Sequence, residues 1–351
     1  MDRKLASIQK IIDIQPIPNA DNIEVAAILG WKVVTRKGEF KPGDIVVYIE
    51  IDSVLPELPE FEFLRTNCFI DNGIVKGFRI KTRRLRKQIS QGICFPISIL
   101  SGFKYETDTR EKPEYKFAEG DDVTALLKIE KYDTVIPISF KGEIKRNYPA
   151  FLCPKTDELR VQSFPMVTAE FNNLQCYIST KIDGTSVSFI HCDGEFDICS
   201  RNLSFIENEE NLYWKIFKKY DLENKLKSSG NFCLQGELAG PGIQKNPMRL
   251  KEVDVFFFNI YDINNKRYLD YNDFINTCKK LGLKTVPIIN DNFIFFHTIE
   301  QLLELAKGNY PGTNTPREGI VIRPVTEKHS DILDGRLSIK VINNDYLLDN
   351  E

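Results

Sequence analysis

The sequence predicts an α+β protein of two domains. An N-terminal OB-fold β-barrel spans residues 1–130, a linker spans 131–150, and a second domain of antiparallel sheets and helices spans 151–351. Three observations carry this division. The first 130 residues hold short β-branched runs separated by turn residues, the signature of a small closed barrel. Pro137 and Pro149 interrupt short mixed segments that suit a linker. From about residue 151, strand-like runs alternate with two helical patterns.

Ile23–Ile28 and Trp31–Val34 read as paired strands around Gly30. Lys41-Pro42-Gly43-Asp44 is turn chemistry, and Ile45–Ile49 after it is a strongly β-branched strand. Residues 76–87 carry seven basic side chains in twelve. Lys and Arg at that density either keep a sheet edge from pairing or track a nucleic-acid backbone. Gly92 breaks the pattern before Ile93–Pro96, and residues 104–120 read as a polar loop. In the second domain, strands are predicted over 177–180, 185–190, 255–260 and 319–323, with helices over 207–227 and 271–281.

Composition excludes several classes. The chain is 42% hydrophobic and 28% charged, with no apolar run of membrane-spanning length. Its start, Met1-Asp2-Arg3-Lys4, lacks the apolar run of a secretory signal. The eight cysteines form no CxxC pair and only three histidines are present, which argues against zinc and against a disulfide scaffold. Reduced thiols in an intracellular, most simply cytoplasmic, setting are expected. The net charge of −3 is not that of a global nucleic-acid binder, so the placement of individual Lys and Arg matters more.

Lys181-Ile182-Asp183-Gly184 lies just after one predicted strand and just before another. A lysine attacks phosphorus or carbonyl centres only as the neutral amine, so the sequence reading expects a lowered pKa at Lys181. Taken alone, KxDG is a short pattern that occurs by chance in surface loops. It is followed in order by Ser200-Arg201-Asn202, by the string from Leu234-Gln235-Gly236-Glu237-Leu238 to Pro247, by Val255–Asp262, by Arg317–Arg323, and by Leu337-Ser338-Ile339-Lys340.

These pieces, in this order, resemble motifs I, Ia, III, IIIa, IV and V of the covalent nucleotidyltransferases, a superfamily of RNA ligases, DNA ligases and capping enzymes. The string GELAGPGIQKNP, the upstream Pro154-Lys155-Thr156-Asp157-Glu158 and the N-terminal β domain look closest to the fifth clade of ATP-dependent RNA ligases. The resemblance covers nearly the whole chain. It implies an ATP-grasp-like nucleotidyltransferase domain after the barrel, with ATP as substrate and Mg2+ or Mn2+ as cofactor.

The resemblance also implies roles. Lys181 would attack the α-phosphorus of ATP, and Lys340 would contact the α-phosphate as pyrophosphate leaves. Asp183, Gly184, Arg201, Glu237, Phe258, Glu318 and Arg160 would line the ATP site, and Asp183, Glu237 and Glu318 would serve the metal. Hard oxygen donors suit magnesium. Of the three consecutive phenylalanines, Phe258 is preferred for stacking on adenine, with Phe256 next because it shares the strand face. Plain core packing explains two of the three. Lys245 and Arg249 follow the glycine-rich loop and could reach phosphates or solvent alike. One departure stands out: relatives show KxK in motif V, but Ser338 occupies the first lysine's place, leaving Arg336 or Lys328 to supply a second cation.

The function implied is sealing of RNA 3′-OH and 5′-phosphate ends, in nicked duplex RNA or an RNA–DNA hybrid, by a monomer without membrane attachment. Arg79, Lys81, Arg83, Arg84 and Arg86 would contact RNA. A DNA ligase or capping enzyme is the alternative, but those usually carry the OB domain after motif V, where this sequence has eleven residues. An RNA-binding protein with a decayed catalytic domain is the third reading, supported by Ser338 alone.

Overall fold

The computed structural model describes residues 3–73, 75–109, 115–132, 144–156 and 158–350. The chain divides into two compact units. One comprises 1–135, 162–165 and 347–351, and the other 136–161 and 166–346.

The first unit is β-rich for the reasons seen in its sequence. Strands β1 (Ala6–Pro16), β2 (Ile23–Ile28), β3 (Trp31–Arg36), β4 (Ile45–Ile49), β5 (Ser53–Leu55), β6 (Phe69–Asp71), β7 (Lys76–Arg79), β8 (Arg83–Leu85), β9 (Gln88–Ser90), β10 (Ile93–Pro96) and β11 (Glu130–Lys131) follow one another, with a short helix α1 (Arg65–Cys68) between β5 and β6. The main sheet runs β10-β4-β1-β2-β3. Its outer strands are joined by way of the segment before β10: Gln91 N–H donates to the Lys32 carbonyl at 2.8 Å and Val34 N–H to the Ser90 hydroxyl at 2.9 Å. Ile8, Ile11, Ala26, Trp31 and Val46–Ile49 are buried, so the β-branched runs form the interior of an OB-type unit. A second sheet, β11-β5-β7-β6, adjoins it.

The basic stretch 76–87 is not one strand. Lys76–Arg79 belongs to the second sheet, and Arg83–Leu85 forms a separate hairpin with Gln88–Ser90. The turn uses Arg86 (φ 50°) and Lys87 (φ 69°), the left-handed pair that a two-residue hairpin loop requires. Most of the expected linker, residues 133–143, lies outside the described residues. Its later part, expected to be irregular, forms β12 (Ile144–Asn147).

The second unit is built on two antiparallel sheets. Its elements are β13 (Leu159–Arg160), α2 (Val167–Phe171), β14 (Gln175–Lys181), β15 (Thr185–Cys192), β16 (Glu195–Cys199), β17 (Leu203–Phe205), α3 (Leu212–Lys219), α4 (Leu222–Lys227), β18 (Phe232–Ala239), β19 (Asp254–Asp262), β20 (Arg267–Tyr268), α5 (Tyr271–Leu281), β21 (Ile288–Ile294), α6 (Ile299–Ala306), β22 (Gly319–Pro324), β23 (His329–Ser330), β24 (Gly335–Arg336) and β25 (Ile339–Ile342), with α7 (Asn344–Asn350) last. One sheet runs β12-β17-β16-β15-β18-β19-β20 and the other β13-β25-β22-β14-β21, in which only β13–β25 is parallel.

Alternation along the seven-stranded sheet sorts its residues. Phe189, Ile198, Leu234 and Phe257 pack on one face with Phe217 of α3, Leu222 and Leu226 of α4 and Phe274 of α5. Ile190, Cys199, Cys233 and Tyr261 point the other way. The predicted helix 207–227 is two helices. Asn211 caps the first by accepting from Tyr213 N–H at 2.9 Å, and Asp221 (φ 50°) takes a left-handed conformation that ends it and starts the second. The helix over 271–281 is as expected. Helices α2, α6 and α7 were not anticipated; α6 carries a capping box of Thr298 and Gln301. Among the described residues, no helix is long and apolar enough to cross a membrane.

Candidate active site

Lys181 ends β14, and register fixes what surrounds it. Lys181 lies opposite Gly319 on β22, Ser179 opposite Val321, and Tyr177 opposite Arg323. Val321 in turn pairs with Lys340 of β25, and Lys340 with Arg160 of β13. Residues paired across strands share a face. Lys181, Lys340, Arg160 and Arg323 therefore belong to one face of the five-stranded sheet, in adjacent rows about 7 Å apart along the strands.

Glu318 precedes β22 and is held from several sides. Arg317 before it caps α6, donating to the carbonyls of Leu305 (2.7 Å), Ala306 (3.1 Å) and Lys307 (2.5 Å). Asn343 N–H donates to the Glu318 carbonyl at 2.9 Å. The Glu318 carboxylate then accepts from Lys181 Nζ at 2.6 Å. Glycine is needed on both sides of this contact. A Cβ at Gly319 would fall 2.2 Å from the Val341 carbonyl oxygen, and one at Gly184 would fall 2.2 Å from the Leu238 carbonyl oxygen and 2.8 Å from Glu237 Cγ.

The seven-stranded sheet supplies the opposite wall. On it Ser186, Glu237 and Phe256 stand in one cross-strand row. Phe256 and Phe258 are half-buried against Ile182, Ala239, Val286 and Tyr310, whereas Phe257 points into the core behind and is fully buried. The two phenylalanines favoured by strand alternation are thus the ones that face Lys181's loop.

Three carboxyls crowd the lysine, and the electrostatics follow. Burial alone would lower the Lys181 pKa, but the carboxylates of Glu318, Glu237 and Asp183 outweigh it and raise the value. The expected lowering is therefore corrected: the ion pair with Glu318 holds this amine protonated. Burial, helped by Glu318 and Asp183 and opposed by Lys181, pushes Glu237 up to about 8. Burial and the Glu318 charge push Asp183 up to about 6, against the opposing hydrogen bond from the Tyr346 hydroxyl and the cations Lys181 and Lys245.

Two tyrosines absent from the sequence reading organise this cluster. Tyr310 is fully buried. Its phenol oxygen accepts the backbone N–H of Asp183 at 3.0 Å and that of Glu318 at 3.1 Å, and its hydroxyl donates to the Lys181 carbonyl at 3.4 Å. One atom thus ties the loop after Lys181 to the strand entry at Glu318. Tyr346, in α7, donates to Asp183. The only sequence signal for Tyr310 is an aromatic side chain within the turn-rich stretch Asn309–Pro316.

Ser338 also has an explanation. Arg323, a fully buried residue, donates from Nε to the Ser338 hydroxyl at 3.0 Å, from Nη1 to the Phe258 carbonyl at 3.1 Å, and from Nη2 to Glu158 at 2.5 Å. Its guanidinium lies 5.8 Å from the Phe258 ring centroid. Burial would raise the Glu158 pKa, but Arg323, Arg336 and Lys340 bring it down to about 2, so the pair stays ionised. The guanidinium that borders Ser338 is that of Arg323. Of the two expected substitutes, Arg336 is engaged by Glu327, by Asn259 at 2.6 Å and by the Tyr268 ring at 4.1 Å, and Lys328 is exposed.

Arg201 occupies the exposed turn between β16 and β17, at the end of the sheet where β15 begins. The loop 240–250 approaches the site: Gln244 donates to the Gly184 carbonyl at 3.4 Å, and Gln244, Lys245 and Asn246 are three successive left-handed residues. In the first unit, Arg79 is drawn inward, 3.7 Å from Asp52 and stacked 3.7 Å from the Tyr132 ring. Arg83, Arg84 and Arg86 are exposed, and Lys81 is half-buried.

Among the described residues, no three His, Cys, Asp or Glu side chains form a group able to hold a metal on their own. The oxygen donors that crowd Lys181 suit a hard divalent cation that keeps much of its water.

A lysine at a strand end, one acidic residue on a facing strand and another at a strand entry, and a phenylalanine wall define a nucleotidyltransferase of the polynucleotide-ligase type. The RNA ligase family model matches residues 174–342, and an OB-fold domain model matches 5–97. No curated protein matches the chain. Among solved structures, RNA ligase of Naegleria gruberi with pyrophosphate is 34% identical, with a TM-score of 0.85 covering 99% of this chain and 98% of that one. A variant of it with ATP and Mn gives 34% and 0.86, covering 98% of each chain, and one with AMP and Mn gives 34% and 0.85 over the same shares. The chain belongs to the RNA ligase family.

Replacing Tyr310 by Phe leaves two buried N–H groups without their shared acceptor. Stability falls by about 1–3 kcal/mol, and the rate of RNA ligation falls about tenfold or more at saturating ATP. Denaturant melts and sealing of labelled RNA measure the two effects. For Glu237, the folded pKa of about 8 lies above the ordinary 4.5. Its contribution to stability is complete below pH 4.5 and is lost as pH rises through about 8. Glu237→Gln therefore raises Tm over the parent by roughly 2 °C or more at pH 8 and by less at pH 5, as read by calorimetry.

Proposed function

We propose that this chain is an ATP-dependent RNA ligase that carries AMP on Lys181 and joins RNA 3′-OH and 5′-phosphate ends. The observation that supports it most is the convergence of Lys181, Glu318, Glu237 and the Phe256/Phe258 wall on one site. The Naegleria gruberi relatives with ATP, AMP, Mn and pyrophosphate support the same reading.

Three transfers make up the reaction. The Lys181 amine forms a bond to the α-phosphorus of ATP while the bond to pyrophosphate breaks. The AMP then passes to an RNA 5′-phosphate, freeing the lysine and forming a phosphoanhydride. A 3′-hydroxyl attacks that activated phosphate, the phosphodiester forms and AMP leaves. Before the first step Lys181 must give up a proton. Glu318 at 2.6 Å holds the ammonium in place and is the nearest acceptor. Lys340, one row from Lys181, meets the α-phosphate and stabilises charge as it builds. Arg160, beside Lys340, contributes to the same field. Phe258, braced by Arg323, stacks on adenine, and Arg201 and Asp183 contact the sugar and phosphates.

Glu237 and Glu318, with Asp183 through water, would hold Mg2+ or Mn2+, which supplies charge neutralisation for the triphosphate. Arg83, Arg84, Arg86 and Lys81 contact the RNA backbone, and Arg79, tied to Asp52, adds field. Nicked duplex RNA or an RNA–DNA hybrid is the substrate, and a monomer suffices because one chain supplies every group named. Eight free cysteines suit an intracellular, cytoplasmic setting.

Incubated with ATP and Mg2+, the protein gains the mass of one AMP, whereas Lys181→Ala gains none; an adduct on the variant overturns the assignment. Reversing charge at Arg83 and Arg84 slows sealing at least tenfold while adenylylation persists, as followed on labelled RNA and labelled ATP. Equal loss of both steps removes the hairpin from RNA binding.

A further inference from the structure

Phe151 is 77% exposed, the most exposed of the large apolar side chains described. It sits in the loop that follows β12, the edge strand of the seven-stranded sheet, and the loop wraps the turn carrying Arg201 and Asn202. Tyr148 N–H donates to the Asn202 carbonyl at 2.8 Å, and Lys155 Nζ donates to its side-chain oxygen at 2.9 Å. The Arg146 guanidinium stands 5.7 Å from the Phe151 ring centroid.

The surroundings are basic. Among the described residues, Lys145, Arg146, Lys155 and Arg201 outnumber the carboxylates that face them, Asp197 and, more remotely, Glu195. Asp197 is buried and holds Arg146 in place with both oxygens, so the cation beside the ring is positioned rather than mobile. From Phe151 the chain leads inward: Thr156 Oγ1 lies 3.1 Å from the hydroxyl of Ser186, and Ser186 pairs with Glu237. Phe151 and the row that holds Glu237 are thus linked by one short segment of chain.

An exposed ring flanked by cations is the chemistry that receives an unpaired or terminal nucleotide, with the base stacked on the ring and the phosphates met by Lys and Arg. We propose that Phe151, with Arg146, is a stacking subsite for an RNA base next to the reacting ends. The subsite rests on the RNA-ligase reading and deepens it: it acts in sealing and takes no part in loading Lys181. A protein partner at the same patch is the competing occupant, and it would leave RNA sealing by the purified chain unaffected.

The test uses the full chain and an RNA strand pre-adenylylated at its 5′ end, annealed beside a 3′-OH strand. Sealing is measured against RNA concentration for the parent and for the Phe151→Ala and Phe151→Trp variants, with lysine adenylylation by labelled ATP as a separate readout. Phe151→Ala raises the RNA concentration for half-maximal sealing about tenfold with a smaller change in maximal rate, and Trp restores it. An unchanged half-maximal concentration, a Trp variant no better than Ala, or equal loss of adenylylation overturns the subsite. If the parent itself forms no lysyl-AMP, the RNA-ligase reading fails instead.

Discussion

The site depends on one electrostatic constraint: a single ammonium shared among three carboxyl groups in a partly buried place. Lys181 can satisfy one of them at hydrogen-bond distance, and it does so with Glu318 at 2.6 Å. The others respond by holding protons more tightly, Glu237 to about 8 and Asp183 to about 6. A triphosphate, itself strongly anionic, can approach such a cluster only together with cations. The need for a divalent ion follows from that crowding. Breaking a buried ion pair by removing one partner typically costs about 3–5 kcal/mol, so the lysine anchors its surroundings.

This constraint explains why so much structural scaffolding converges here. Tyr310 satisfies two backbone N–H groups on different segments with one oxygen, and Arg317 closes a helix C-terminus one residue before Glu318. Gly184 and Gly319 let backbones approach to distances no side chain would allow. None of these residues is itself charged toward the nucleotide. Their effect is to keep mutually repelling groups from moving apart, a task that packing and hydrogen bonds perform better than further charges.

Much of this was legible in the sequence, and for a physical reason. Period-two alternation separated Phe257 from Phe256 and Phe258, and β-branched runs marked Ile45–Ile49 and Gly319–Arg323 as strands. Short motifs in fixed order picked out Lys181, Glu237 and Glu318 before any geometry was known. Tyr310 and Tyr346 were not legible because their role is set by where a loop and a terminal helix return, which no local pattern encodes. The break at Asp221 was missed because a left-handed aspartate looks like any helical surface residue. The protonation of Lys181 was misjudged because a pKa depends on neighbours more than a hundred residues away in the chain.

Arg323 and Ser338 pack as one hydrogen-bonded unit. The serine is short enough to leave the guanidinium its room and polar enough to accept its Nε proton. A lysine restored at 338 would bring a second cation against a buried arginine already committed to Glu158 and to the carbonyl behind Phe258. Such a lysine would require the arginine on the facing strand to give way, so the two positions constrain one another.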